Sequence, residues 1–305
     1  MPTPRKPSRA KSSRPARRRL FVPLLSLGLC AAVGLFFATA WFPSLMPDLQ
    51  AQTEYEFPLS ELRVNEPHDW VPRNLVSRAL LDAGLPKRVS LLKPELARDL
   101  ADAFAREPWV RNVERVRITG DRRITVQLEY RVPVAFIQSG DGLYPVDADG
   151  VVLPREDFSA ADVSLLPQIE NIVSQPPVHP GHAWRDPLVT ESLKLAKSLV
   201  PQGSLDPYWK HFELQSIIAP TVETPEGTLP HRLTFELKTT HGSRIVWGHP
   251  PGGDDLEPTV AQKLGRLEQY LDQFGAFDRP RGPCRIDIRH FEAISLQPLD
   301  GGRWQ

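Results

Sequence analysis

The sequence predicts an α+β protein carried behind a single N-terminal transmembrane helix, with a small β-α-α-β-β unit followed by a mixed β-domain with two flanking helices. Three observations carry that expectation. An uncharged apolar run of 23 residues, LFVPLLSLGLCAAVGLFFATAWF, occupies positions 20–42. Past it, two segments repeat apolar residues at helical spacing, and the period then drops to 2 before residue 130. Beyond residue 132, short alternating stretches bounded by Gly, Pro and Asp dominate, interrupted by two longer helical stripes.

The anchor is justified first. Arg5, Lys6, Arg9, Lys11, Arg14, Arg17, Arg18 and Arg19 crowd the first 19 positions, which hold no acid. Such a tail stays on the cytoplasmic side under the positive-inside rule. The run behind it would rise roughly 34 Å as a helix, enough for a hydrocarbon core of about 30 Å. Ala38-Thr39-Ala40 has the small-residue spacing of a signal-peptide cleavage site. Signal peptides, however, carry about 7–15 apolar residues, and 18 already precede Ala38. The favoured reading is an uncleaved span in a single-pass type II protein of the cell (inner) membrane, its C-terminal domain extracytoplasmic. Residues 1–19 are then the tail, 20–42 the helix and 43–57 a polar linker. The first folded unit covers 58–132, the β-domain 133–298, and 299–305 a short C-terminal tail.

The chain carries 37 basic and 37 acidic residues, and its net charge of zero hides a division. The tail holds eight of the basic groups, so residues 20–305 balance 29 against 37. A region of that sign is expected to bind nucleic acid or anionic lipid poorly. Of two cysteines, Cys30 falls in the apolar run and Cys284 near the far end, so no disulfide within one chain is expected. Cys284 reads as a small core residue opening a strand. The 32 prolines, about twice the usual share, cluster at 175–180, 219–230 and 248–258 and read as long ordered connections.

Within the first unit, Leu59–Val64 reads as a strand. Pro72 opens a helix at its first position, with Leu75, Val76, Ala79 and Leu80 on one face and Gly84 as the stop. A second helix runs from Pro94 to about Arg106, burying Leu96, Leu100, Ala103 and Phe104, and Pro108 ends it. In RITVQLEY (123–130), Ile124, Val126, Leu128 and Tyr130 alternate with polar residues, and 110–118 pairs with it across Thr119-Gly120-Asp121. In the second unit Phe136, Leu143–Val146 and Val151–Leu153 read as short strands, with a hairpin at Asp149-Gly150. A helix capped at Asp186-Pro187 carries Val189, Leu193, Ala196 and Val200. Strands follow at Phe212–Ile218, Leu233–Leu237 and Ile245–Trp247. Val260, Leu264, Leu267, Leu271 and Phe274 mark the cleanest helix, and Arg285–Arg289 and Ile294–Leu296 close the fold.

Patterns that would carry chemistry are weak. His179 and His182 stand three apart in a Pro/Gly loop without a third ligand, whereas zinc takes three or four at defined spacing. Asp254-Asp255 and the pair Asp147 and Asp149 sit beside Gly and Pro, as turn acids do. No nucleophile elbow, P-loop, dinucleotide fingerprint or His-Glu-x-x-His occurs. The expectation is a protein without enzymatic activity, cofactor, metal or small-molecule substrate.

Three stretches carry a family resemblance. Arg106–Val113 (REPWVRNV) with Arg115–Ile118 is similar to the pattern P-x-V-x-x-A-x-V-x-R. Ile124–Phe136 (ITVQLEYRVPVAF) and Tyr144–Val152 (YPVDADGVV) follow I-x-V-x-E-R-x-P-V-A and L-V-D-x-x-G-x-V. The helix Lys263–Phe274 and Ile286-Asp287-Ile288-Arg289 complete the series with a strand of the I-D-L-R type. In order and spacing, behind a basic tail and one span, the chain resembles the FtsQ/DivIB family of bacterial cell-division proteins. The resemblance implies that the first unit is a POTRA domain, followed by the family's β-domain. It implies a non-catalytic scaffold linking cytoplasmic and outer division components, with an FtsB/FtsL-like coiled-coil pair as partner. The other classes weighed are a POTRA-bearing envelope assembly or export protein and a membrane-anchored cell-wall hydrolase.

A binding surface follows from the terminal strand. An edge at Ala293–Gln297, with Ile294 and Leu296 on one face, would offer unpaired N–H and C=O groups to a partner strand. His290, Phe291, Ser295, and Arg266 and Gln269 on the late helix would flank it; the alternative is that Ile294 and Leu296 close the core and the edge is covered. A second edge is expected near Leu59–Val64, with Glu61 and Arg63 pointing away from the core.

Overall fold

Two parallel crossovers, each through one long helix, organise the larger part of the computed structural model. It describes residues 53–140, 142–201, 206–222, 233–252 and 257–299. The chain divides into two units, Met1–Glu56 and Phe57–Gln305. The tail, the apolar run and most of the linker lie outside the described residues, as do Cys30, Asp254-Asp255 and most of 219–231. Among the described residues no helix is long and apolar enough to cross a membrane. What is described is α+β.

The first core gathers around a three-stranded sheet with the order β2-β5-β4. Here β2 is Arg63–Val64, β4 Val110–Thr119 and β5 Arg123–Tyr130. Val116 and Ile118 of β4 face Val126 and Ile124 of β5, and the alternation sends one side of each strand inward. Helices α1 (Leu75–Asp82) and α2 (Leu96–Ala105) supply Leu75, Ala79, Leu96, Leu100 and Phe104 to the same core. Gly84, at φ +66°, ends α1. The N–H of Leu85 reaches the carbonyl of Leu80 and that of Gly84 reaches Leu81, a Schellman closure.

Two expectations need correction here, and one strand was not foreseen. The strand expected at Leu59–Val64 is broken: β1 (Glu56–Pro58) pairs with β3 (Arg88–Ser90), Leu59–Glu61 forms a 3-10 turn, and only Arg63–Val64 is β2. Leu59 and Leu62 are both buried, and residues three apart share a side in a turn but not in a strand. Helix α1 starts at Leu75 rather than at Pro72, because Pro72 lies in the preceding turn and Asn74 takes the N-cap. The strand β3 has no pattern long enough to announce it.

The second core lies against an eight-stranded sheet with the order β13-β12-β11-β10-β9-β8-β6-β7. In sequence these are β6 (Pro133–Ser139), β7 (Gly142–Asp147), β8 (Gln168–Glu170), β9 (Leu214–Ile218), β10 (Phe235–Thr239), β11 (Arg244–Gly248), β12 (Cys284–Asp287) and β13 (Ser295–Pro298). Strand β8 runs parallel to β9, joined through α3 (Pro187–Leu199), and β11 parallel to β12, joined through α4 (Val260–Phe274). Because β9 and β11 both run antiparallel to β10, the two crossovers start from strands of one direction and step the same way along the sheet. Right-handed connections then put both helices on one face, and residues of both join a single core with Ile217, Leu237, Trp247 and Ile286. Asp186 caps α3 by accepting from Leu188 N–H at 2.7 Å. Thr259 and Gln262 form a capping box on α4, which Gly275 ends at φ +79°.

Smaller departures follow the same logic. Val151–Leu153 makes isolated bridges, Val146 with Val152 and Val151 with Ala183, in place of a full strand. Strands β9 and β10 begin two residues later than their apolar stretches. The two cores are also joined. Leu153, from beyond the first unit, is buried in the first core. Phe158 stacks on Trp109 with ring centroids 5.5 Å apart and meets Phe136 edge-on at 5.5 Å. Arg78 of α1 binds both Glu107 and Asp157, and Trp109 Nε1 donates to Asp157 at 2.7 Å. Arg131 meets buried Asp147 at 2.6 Å.

Candidate functional site: the open edge of the large sheet

An eight-stranded sheet that does not close has two edges, and here they differ. Beside β7, the segment Val151–Leu153 takes up the outer side: Asp147 N–H donates to Val151 O and Leu153 N–H to Pro145 O. Strand β13 has β12 on one side and, among the described residues, no strand on the other. Its pairing register sets Asp287 against Ser295, Ile286 against Leu296 and Arg285 against Gln297. Leu299 N–H donates to Pro283 O, which makes that pair a hydrogen-bonded one. The alternation of an antiparallel ladder then turns the N–H and C=O of Leu296, and the C=O of Pro298, away from β12 toward the open side.

The side chains alternate as well. Ser295 and Gln297 are exposed, while Ile294 and Leu296 are half-buried against the large core. Helix α4 lies alongside, and between it and the edge runs a groove of about 590 Å³. Five of the seven residues expected from the sequence line it: Arg266, Gln269, Phe291, Ile294 and Leu296. Phe291 is 58% exposed, a large apolar side chain left uncovered in the chain. Ser295 and His290 are not part of the groove lining; His290 is exposed, with Nε2 4.0 Å from Asp287 Oδ2.

Two residues act differently from expectation. Arg266 Nη1 donates to the carbonyl of Ile288 at 3.0 Å, so its guanidinium tethers α4 to the end of β12 besides facing the groove. At the small sheet, Glu61 lies in the 3-10 turn and not on the expected strand, while Arg63 is on β2, exposed, opposite Thr125. The groove also holds Gln262, Gln273 and Glu292, which were not expected there, and Phe274, expected on the apolar stripe of the helix. Their signal was present: Gln262, Arg266, Gln269 and Gln273 form a polar stripe at steps of four, three and four, opposite the apolar one.

Charged groups under the edge fix its shape. Asp287 is gripped by Arg289, whose Nη2 lies 2.7 Å from Oδ2 and whose Nε lies 3.0 Å from Oδ1. Burial alone would push the Asp287 carboxyl up, but the hydrogen bonds and charge of Arg289 outweigh it and hold the group below the usual carboxylate range. Lys263, near the start of α4, is buried beneath the helix, its Nζ 2.6 Å from Glu257 and 5.3 Å from the centre of the Trp247 ring. Burial lowers its pKa, with Glu257 pulling the other way. Tyr270 donates to Arg279 O at 2.6 Å, and burial raises its phenol to about 12. These groups brace a surface; none of them stands free beside a reactive partner.

Of the patterns weighed for chemistry, the pair Asp147 and Asp149 builds a turn, and Asp254-Asp255 lies outside the described residues. Asp147 Oδ1 accepts the N–H groups of Asp149 and Val151, an Asx turn at the hairpin. His179 and His182 have ring centroids 6.4 Å apart, and no group of three or more metal-binding side chains forms among the described residues. Cys284 is buried at the head of β12, where its N–H donates to Ser243 Oγ at 2.9 Å. A scan of the chain against models of known protein families finds no match, and none of the curated proteins matches it in sequence.

Proposed function

We propose that the chain is a non-catalytic, single-pass membrane scaffold of the FtsQ/DivIB type, which holds outer components of the bacterial division machinery through its terminal sheet edge. In this reading residues 1–19 stay in the cytoplasm, 20–42 span the inner membrane, and the α+β body, a POTRA domain followed by a β-domain, works outside it. The partner is an FtsB/FtsL-like pair of bitopic coiled-coil proteins, one of which adds a strand to β13. The observation that carries this is the open side of β13, with Phe291 and the polar stripe of α4 arranged beside it. Strand addition takes its affinity from backbone bonds and its selectivity from alternate side chains. Here Leu296 supplies the first, and the groove beside Ile294 supplies the second.

The test is co-purification of the full chain with the coiled-coil pair. Ser295→Glu and Leu296→Glu are expected to abolish capture while circular dichroism stays unchanged. Capture that survives both substitutions overturns the edge assignment. A fluorescent fusion in growing cells is expected to form a mid-cell band; a uniform rim overturns the division role.

A further inference from the structure

The charges beyond the apolar run are unevenly spread. Residues 58–132 carry 14 basic and 11 acidic side chains, whereas 133–305 carry 15 and 23. The excess of acid that argues against anionic partners therefore lies in the second part and in the linker 43–57, which holds three acids and no base.

In the first part three of the fourteen basic groups meet on the solvent face of the three-stranded sheet. Arg63 of β2 and Arg117 of β4 both register with Thr125 of β5, one from each side, and Arg115 registers with Gln127 one step along. All three arginines are exposed and surround a shallow depression of about 310 Å³ floored by Thr125 and Gln127. Among the described residues none of the three is ion-paired. The acids at the ends of the face are already engaged: Glu129 with Arg111 at 3.3 Å and Asp121 with Arg123 at 2.9 Å. With strands about 4.8 Å apart, Arg63 and Arg117 stand about 10 Å from each other, so each guanidinium can grip a separate phosphate in its two-pronged fashion.

We propose that this arginine face docks on the anionic phospholipid headgroups of the bilayer that residues 20–42 enter, an inference that rests on reading those residues as a span. The tether favours lipid over a soluble acidic ligand. From Phe42 to Phe57 the chain reaches about 50 Å at most, so headgroups are always within range and weak attraction is amplified by effective concentration. Each arginine near an anionic surface adds about fivefold to the docked population, and three add about a hundredfold.

The test uses the full chain in nanodiscs, with Ser60→Cys, exposed and outside the arginine face, carrying a donor dye in a Cys30→Ser, Cys284→Ser background and an acceptor dye on the headgroups. Energy transfer is expected to be high in discs containing phosphatidylglycerol, low in pure phosphatidylcholine, and reduced by salt. Changing Arg63, Arg115 and Arg117 to Gln is expected to cut the docked-to-free ratio about a hundredfold, and reversing them to Glu to cut it further. Equal transfer in both lipids overturns the proposal. So does a reversal that leaves transfer intact yet abolishes capture of the coiled-coil pair, which would assign the face to a protein. A chain that fails to co-elute with discs at high salt overturns the span and this proposal together; co-elution with unchanged transfer overturns this proposal alone.

Discussion

Single side chains at the edge do more positioning than display. The Asp287 carboxylate is stabilised in the fold by Arg289, so its folded pKa lies below the unfolded value of about 3.9. A depressed acid adds stability that is complete above the unfolded pKa and lost as pH falls through the folded one. Urea midpoints followed downward from pH 6 are thus expected to fall below about pH 4 in the native chain, and Asp287→Asn is expected to remove that part of the fall. At the junction between the cores, Glu107 has a side chain only 4% exposed and bound to Arg78. Burial pushes its carboxyl up while Arg78 pulls it down. Arg78→Ala would strand that charge, and urea unfolding is expected to show a loss of about 3 kcal/mol. The Arg78–Glu107 pair was not readable from sequence, because partners separated by 29 positions leave no local pattern. Arg266 makes the same point: its helical face was legible, but its bond to the Ile288 carbonyl was not.

Elements with long, regular patterns were legible and short ones were not. The stripe from Val260 to Phe274, the cap at Asp186 and the alternation in 123–130 each involve many residues acting together, and each element formed where expected. The segment Leu59–Val64 was misjudged because six residues hold too few periods to separate a strand from a turn. The edge strand itself was legible, as the last one among the described residues. The late helix beside it was expected through Arg266 and Gln269; the shares of Gln262 and Gln273, on the same polar stripe, were not read from it. Thr259→Ala removes one half of the capping box and is expected to cost about 1 kcal/mol in thermal or urea unfolding. Leu296→Pro deletes an N–H that faces away from β12, so it is expected to reduce capture of the coiled-coil pair at least tenfold in pull-down titrations. Retained capture by a folded Leu296→Pro chain would mean that the partner does not pair with this strand.

At the scale of the molecule, Phe57–Gln305 behaves as one compact unit containing two cores. Leu153, Phe158 and the ion pairs of Arg78 and Arg131 cross from one core to the other, so unfolding is expected to be a single transition by both near- and far-ultraviolet circular dichroism. Phe158→Ala removes the ring that touches Trp109, Trp70 and Phe136. A loss of about 2–3 kcal/mol is expected, with the two signals separating into distinct midpoints. The continuous sheet of eight strands also has a mechanical meaning. Under the proposed strand addition, a pull on a partner at β13 is shared across the sheet's ladder of backbone bonds instead of bending a hinge, so the body would hold it as a rigid bracket does.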